Sequence, residues 1–215
     1  GMEASAFDAE QLRMMFHAHL MREQGLLPAS AFAGVTASKD AEALKSDLMP
    51  AWLMVEARDA WVHGVRQDLS IAKAAAAAAT AATTTSQSGT LLQRQQLVEV
   101  LGSLGVRDIE MQRVTGDGCF AMDIYLPEHD VAVQLDGPRR YYTNASSKRS
   151  AATVKMLKTA KTELRDRFLA KQCSKVVFVP WFEFEKLPQG AQKRYLRDKL
   201  VNEAGLQILG GEEEE

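Results

Sequence analysis

The chain has 215 residues, 46% of them hydrophobic, enough for one ordinary domain with a proper core and a smaller helical piece. No run of ~18 apolar residues free of charge occurs, which excludes a transmembrane helix. The formal net charge of −2 is uneven: residues 1–135 carry 10 Lys/Arg and 17 Asp/Glu, residues 136–200 carry 16 and 6, and the last fifteen residues add five acids. A basic third in an otherwise acidic chain points to a polyanionic partner, against the plainer reading of a solvated, lysine-rich surface. Cys119 and Cys173 are too far apart for a metal cage and too few for a disulfide scaffold, so both read as core residues. His17 and His19 are two apart and point to different helix faces, which denies them a shared metal. Gly1 ahead of Met2 reads as the remnant of a cleaved tag, so the N-terminus is no guide to targeting.

Residues 2–82 read as a helical region. Leu12, Met15, Phe16 and Leu20 fall at helical spacing before Gly25. A second helical stretch starts near Ser38-Lys39-Asp40 and is interrupted or restarted at Pro50. Trp61, Val65 and Leu69 follow one turn apart. The Thr/Ser/Gly-rich stretch 83–89 reads as a linker. From residue 90 to 203 the pattern is that of a second domain. A helix over Leu91–Leu104 turns Leu92, Leu97, Val100, Leu101 and Leu104 inward. "DIEMQRV" (108–114), "CFAMDIYLP" (119–127) and "VAVQLD" (131–136) read as three strands separated by "GDG" and "EHD" turns. A long basic helix is expected from Ala151 to Lys171, a strand over "KVVFVPW" (175–181), and a closing helix from Gln189. Residues 204–215 form an acidic tail, expected to be disordered. The order α-β-β-β-α-β-α predicts a mixed α/β (α+β) core preceded by an all-α region.

Polar residues gather at the strand ends. Gln134 and Asp136 share a strand face by alternation, and Asp123 converges with them if it projects to the same side. Buried polar groups of this kind cost free energy unless they bind something, and a hard cation such as Mg²⁺ takes one or two carboxylates with phosphate and water. The plainer alternative is that Asp136 opens the Gly-Pro turn and accepts backbone hydrogen bonds.

These residues carry a resemblance. "FAMDIYLPEHDVAVQLDGPRRYY", a basic helix with "TELRDRFL", then "KVVFVPWFEFEKL" and "YLRDKL" resemble a RAP domain over about Leu91–Leu200. The resemblance implies a restriction-endonuclease-like core of the PD-(D/E)XK kind, close to the very-short-patch repair endonucleases. It also implies a role in RNA processing, stability or ribosome biogenesis in an organelle, with mitochondrial localisation. The usual RAP strand reads Glu-x-Asp-Gly-Pro, and Gln134 takes the glutamate position. Asp123 and Asp136 match the family acids, and Glu99 matches an acidic helix position of many nucleases in the superfamily. Arg140 stands where the family tends to have histidine, and Tyr141 keeps the aromatic that follows.

A Gln carbonyl ligates a cation without adding negative charge, and Arg140 cannot serve as a base near neutral pH. Arg140 is instead suited to gripping a phosphate. The candidate RNA-binding residues are Arg139, Arg140, Tyr142, Lys148, Arg149 and Lys155, with Lys158, Lys161 and Arg165, the last three expected on one helix face. If ~5 bases met phosphate, the log–log salt slope on a single strand would be roughly −3.5. The favoured expectation is therefore an RNA-binding module with a nuclease-like but inactive fold, needing no cofactor to bind. Two alternatives stay open. One is an endoribonuclease using Asp123, Gln134, Asp136 and Glu99, with Mg²⁺ or Mn²⁺ on Asp123 and Asp136. The other is a structural subunit of a ribonucleoprotein, its acidic helical region docking on proteins. No membrane partner is expected.

Overall fold

A computed structural model of the protein describes residues 7–26, 49–81, 89–142 and 156–208. The chain divides into two compact units, Gly1–Ser70 and Ile71–Glu215. The division falls within the second helix. The expected helix start at Ser38–Asp40 and all of the 83–89 linker but Gly89 lie outside the described residues.

In the first unit, α1 spans Ala9–Glu23. Asp8 and Gln11 cap it reciprocally: the Asp8 carboxylate accepts the Gln11 N–H at 2.8 Å, and the Gln11 side chain accepts the Asp8 N–H at 3.0 Å. Leu12, Phe16 and Leu20 make its buried face. Helix α2, Ala51–Ala81, starts directly after Pro50, whose carbonyl accepts the first helical bond. Leu53, Ala57 and Trp61 are buried on it, and the Trp61 ring packs on Phe16 and stacks on His17. Val65 and Leu69 of the expected stripe are half-buried.

The second unit holds a small mixed sheet. Helix α3 (Gly89–Ser103) leads into β1 (Glu110–Val114), β2 (Ala121–Leu126) and β3 (Val131–Asp136). A 3₁₀ turn, Pro138–Arg140, then opens a short β4 (Tyr141–Tyr142), which pairs with β5 (Leu157–Lys158). Helix α4 (Ala160–Gln172) crosses over to β6 (Lys175–Pro180), followed by the short α5 (Trp181–Phe184) and by α6 (Gln189–Ala204). The sheet order is β1-β2-β3-β6, with β1 to β3 antiparallel and β6 parallel to β3. Flanked on both sides, β3 is buried at all six positions, as its apolar run requires. Leu97, Val100 and Leu101 of α3, Leu196 and Leu200 of α6, and Phe184 pack with Val133, Leu135, Val177 and Val179 into one core. Cys119 and Cys173 are buried, as expected, and are not joined in a disulfide. Among the described residues no helix is long and apolar enough to cross a membrane.

The basic helix is shorter than the expected Ala151–Lys171. Residues 151–155 lie outside the described residues, Leu157–Lys158 is a strand, and α4 begins only at Ala160. Thr159 is extended, at φ −71° and ψ 152°, and caps α4 by accepting the Thr162 N–H at 3.2 Å. Lys158 therefore shares no helical face with Lys161 and Arg165. The steps of three (Lys158 to Lys161) and four (Lys161 to Arg165) imitate a helix stripe, while the real partner of Lys158, Tyr141, is distant in sequence.

Candidate nucleic-acid interface

The ladder between β2 and β3 runs from Leu126↔Val131 to Ile124↔Val133. Beyond it, side chains take over the bonding. The Leu135 N–H donates to Asp123 Oδ2 at 3.2 Å, where a backbone carbonyl would ordinarily stand. The Gln134 amide satisfies both its ends when its nitrogen donates to Asp123 Oδ2 at 3.0 Å and its oxygen accepts the Asp123 N–H at 3.1 Å, which fixes its orientation. Arg94 of α3 closes the other side, Nη2 lying 2.5 Å from Asp123 Oδ1.

Asp136, at the last position of β3 and fully buried, belongs to a second group. Arg165 Nη2 donates to its Oδ1 at 2.6 Å, while Tyr141 Oη at 3.4 Å and Lys158 Nζ at 3.5 Å face Oδ2. Asp166 binds the same two cations, taking Arg165 through Nε at 2.9 Å and Lys158 Nζ at 2.6 Å. Lys158 also lies over the Phe178 ring, 3.9 Å from its centroid. Burial works against the charge on Arg165, but Asp136 and Asp166 outweigh it and hold its pKa above the ordinary range. Burial, and after it the charge and hydrogen bond of Asp136, push the Tyr141 phenol well above its usual value. The backbone hydrogen bonds expected for Asp136 at the Gly-Pro turn are replaced by these side-chain donors.

Arg140 stands between the two groups. Its carbonyl accepts from the Thr159 N–H at 2.9 Å and from Thr162 Oγ1 at 3.2 Å, which pins it to the start of α4. Among the described residues no carboxylate comes within 4 Å of its guanidinium, although Asp123, Asp136 and Asp166 all act on it from farther away. Four cations (Arg94, Arg140, Lys158 and Arg165) thus surround three carboxylates.

A family model, RAP domain, matches residues 133–199. The chain carries a RAP domain. No curated protein matches the chain. RAP domains are in general RNA-binding domains. The match takes in Gln134, Asp136, Arg140, Lys158 and Arg165, while Asp123 and Arg94 lie ahead of it.

The other expected residues of the RAP domain and its flank are dispersed. Arg139 and Lys161 are exposed, as is Tyr142, which retains 59% of its surface. Arg165 is 4% exposed and serves Asp136 rather than the solvent face. Lys148, Arg149 and Lys155 lie outside the described residues. Glu99 is exposed on α3 and, with Gln96 and Lys193, lines a groove against α6 instead of joining Asp123. Among the described residues no three His, Cys, Asp or Glu side chains are grouped to hold a metal. Sequence reasoning missed Arg94, Asp166 and the Tyr141 hydroxyl. For Arg94 a signal existed: it lies three residues before Leu97, on the face the apolar residues turn inward.

Proposed function

We propose that the protein binds RNA, single-stranded or structured, with the RAP domain acting as a clamp on the backbone and not as a nuclease. The observation that carries this reading is the saturation of both acids. Each oxygen of Asp123 and Asp136 already faces a donor, and those donors include three cationic side chains. A Mg²⁺ or Mn²⁺ ion would have to displace arginines from buried carboxylates and sit among four positive charges, so these residues do not fit a catalytic metal. Gln134 favours the same reading, because its amide donates to Asp123 where a carboxylate would repel it. Binding then needs no cofactor, and the nuclease-like fold serves as a scaffold. Exposed Arg139 and Lys161 supply phosphate contacts. Tyr142, exposed beside its cross-strand partner Leu157, offers a face for stacking a base. A place in organellar, mitochondrial RNA processing or ribosome assembly rests on the family alone, and protein docking by the acidic helices rests on their charge alone.

The test is one labelled single-stranded RNA titrated at several salt concentrations and incubated with Mg²⁺ or Mn²⁺. Salt-dependent binding with intact RNA is expected. Metal-dependent cleavage lost in Asp123→Ala or Asp136→Ala would replace the clamp with an enzyme, and the absence of any binding would favour the protein-docking role.

A further inference from the structure

Buried polar atoms without a partner are rare in folded proteins, and each asks for an explanation. In the second unit three such atoms occur among the described residues: Arg94 Nε, Arg165 Nη1 and Trp181 Nε1. All three are N–H donors. A surplus of this one kind asks for an acceptor-only group, which is what an oxyanion is. The two arginines belong to the cluster at Asp123 and Asp136, and Trp181 directly follows Pro180, the partner of Asp136 across the parallel pair β3–β6. The carboxyl ends of parallel strands are where α/β sheets place their ligands.

Arg140, with no carboxylate within 4 Å of its guanidinium among the described residues, adds a cation to the same place. Its carbonyl is tied to Thr162, one turn before Arg165 on α4, and both guanidiniums feel the charges of Asp136 and Asp166. Burial, and next the like charge of Arg165, pull the Arg140 pKa below its ordinary range, against the attraction of Asp123, Asp136 and Asp166. The two guanidiniums repel each other, and of the two Arg165 already has its carboxylates, Asp136 and Asp166.

We propose that this end of the β3–β6 pair holds the terminal phosphomonoester of an RNA strand, with Arg140 and Nη1 of Arg165 as its donors. The inference rests on the RNA-binding reading above and narrows it. An internal phosphodiester is flanked by sugar on both sides and offers two free oxygens. A terminal phosphate has one substituent and three free oxygens, so it enters end-on at Arg140 and displaces least on its way to Nη1 of Arg165, which is itself buried. Half-buried Arg140 forms the accessible side of the cluster, and exposed Tyr142 stands two residues on, on the short strand that pairs with Lys158 and its neighbour.

The experiment uses the full chain and three versions of one short RNA: 5′-phosphorylated, 3′-phosphorylated, and with hydroxyls at both ends. Affinities are measured at physiological salt. One phosphorylated end is expected to bind about tenfold or more tightly than the hydroxyl-ended RNA, the effect of a single charge-assisted hydrogen bond, and which end wins identifies the strand polarity. Arg140→Ala, whose folding is checked by circular dichroism, is expected to erase that difference. Arg140→Lys keeps the charge, loses the planar fork, and is expected to retain only part of it. Equal affinity for all three RNAs would overturn the inference while leaving RNA binding intact. A preference that survives Arg140→Ala would also overturn it, by placing the phosphate elsewhere. If none of the three RNAs binds, the underlying RNA-binding reading falls first.

Discussion

Arg94 Nη2 meets Asp123 Oδ1 at 2.5 Å, so a guanidinium from α3 fills the side of the carboxylate where a cation-binding site would need open space. The pair is mostly buried, with side-chain exposures of 18% and 8%. Removing one partner of such a pair leaves an uncompensated charge, which costs more than the pair itself contributes. Arg94→Ala is therefore expected to lower stability by about 3 kcal/mol, read by urea unfolding. Arg94→Lys should recover part of the loss. A change within a few tenths of a kcal/mol would mean that solvent neutralises Asp123 unaided.

Restoring the family glutamate should be harmful. In Gln134→Glu a second carboxylate would lie near 3.0 Å from Asp123 Oδ2, in place of an amide donor, at a fully buried position. Like charges at that separation cannot both ionise cheaply. The variant is expected to unfold at lower urea concentration than the parent and to remain so in millimolar Mg²⁺, since the outer oxygen of Asp123 stays bound to Arg94. Rescue of stability by Mg²⁺ would mean that a metal site is one substitution away.

Thr159 joins the cap of α4 to the placement of Arg140. Its hydroxyl accepts the Thr162 N–H, and its own N–H donates to the Arg140 carbonyl. Thr159→Ala removes only the first of these and should destabilise by about 1 kcal/mol. Thr159→Ser keeps the hydroxyl and should stay near the parent in the same unfolding measurement.

The junction of β3 and β6 carries a pH dependence. Asp130 accepts Ser174 Oγ at 2.6 Å, the Ser174 N–H at 2.8 Å and Tyr125 Oη at 2.7 Å. The Ser174 hydroxyl first, then Tyr125, hold its pKa below the ordinary carboxylate range. A carboxylate depressed in the folded state contributes stability that is present above the unfolded pKa of about 4 and is lost as pH falls through the lower folded value. Ser174→Ala should lower stability most at neutral pH, with the loss shrinking as pH falls below about 4, which flattens the acid limb of the stability profile between about pH 4 and 2. An unchanged acid limb would remove Asp130 as its source.

The strands could be read from alternation and turn residues, and the burial of β3 from its unbroken apolar run. The trio Asp123, Gln134 and Asp136 could be found because polar residues inside such strands are costly. What was hidden is their neutralisation. Asp166 looks like an ordinary surface acid on a basic helix, and its role depends on the side on which α4 meets β3. Lys158 was misplaced for a related reason: strand β5 exists only because Tyr141 and Tyr142 pair with it, and a two-residue strand leaves no periodicity.

That two-residue pair has a practical consequence. Tyr141↔Lys158, Tyr142↔Leu157 and the bond from the Thr159 N–H to the Arg140 carbonyl tie both ends of the intervening segment at its base. The charged cluster is thus anchored on the near side of the tie. A change that unpairs the two strands therefore reaches Asp136 directly, because Tyr141 and Lys158, partners across the pair, both face its Oδ2.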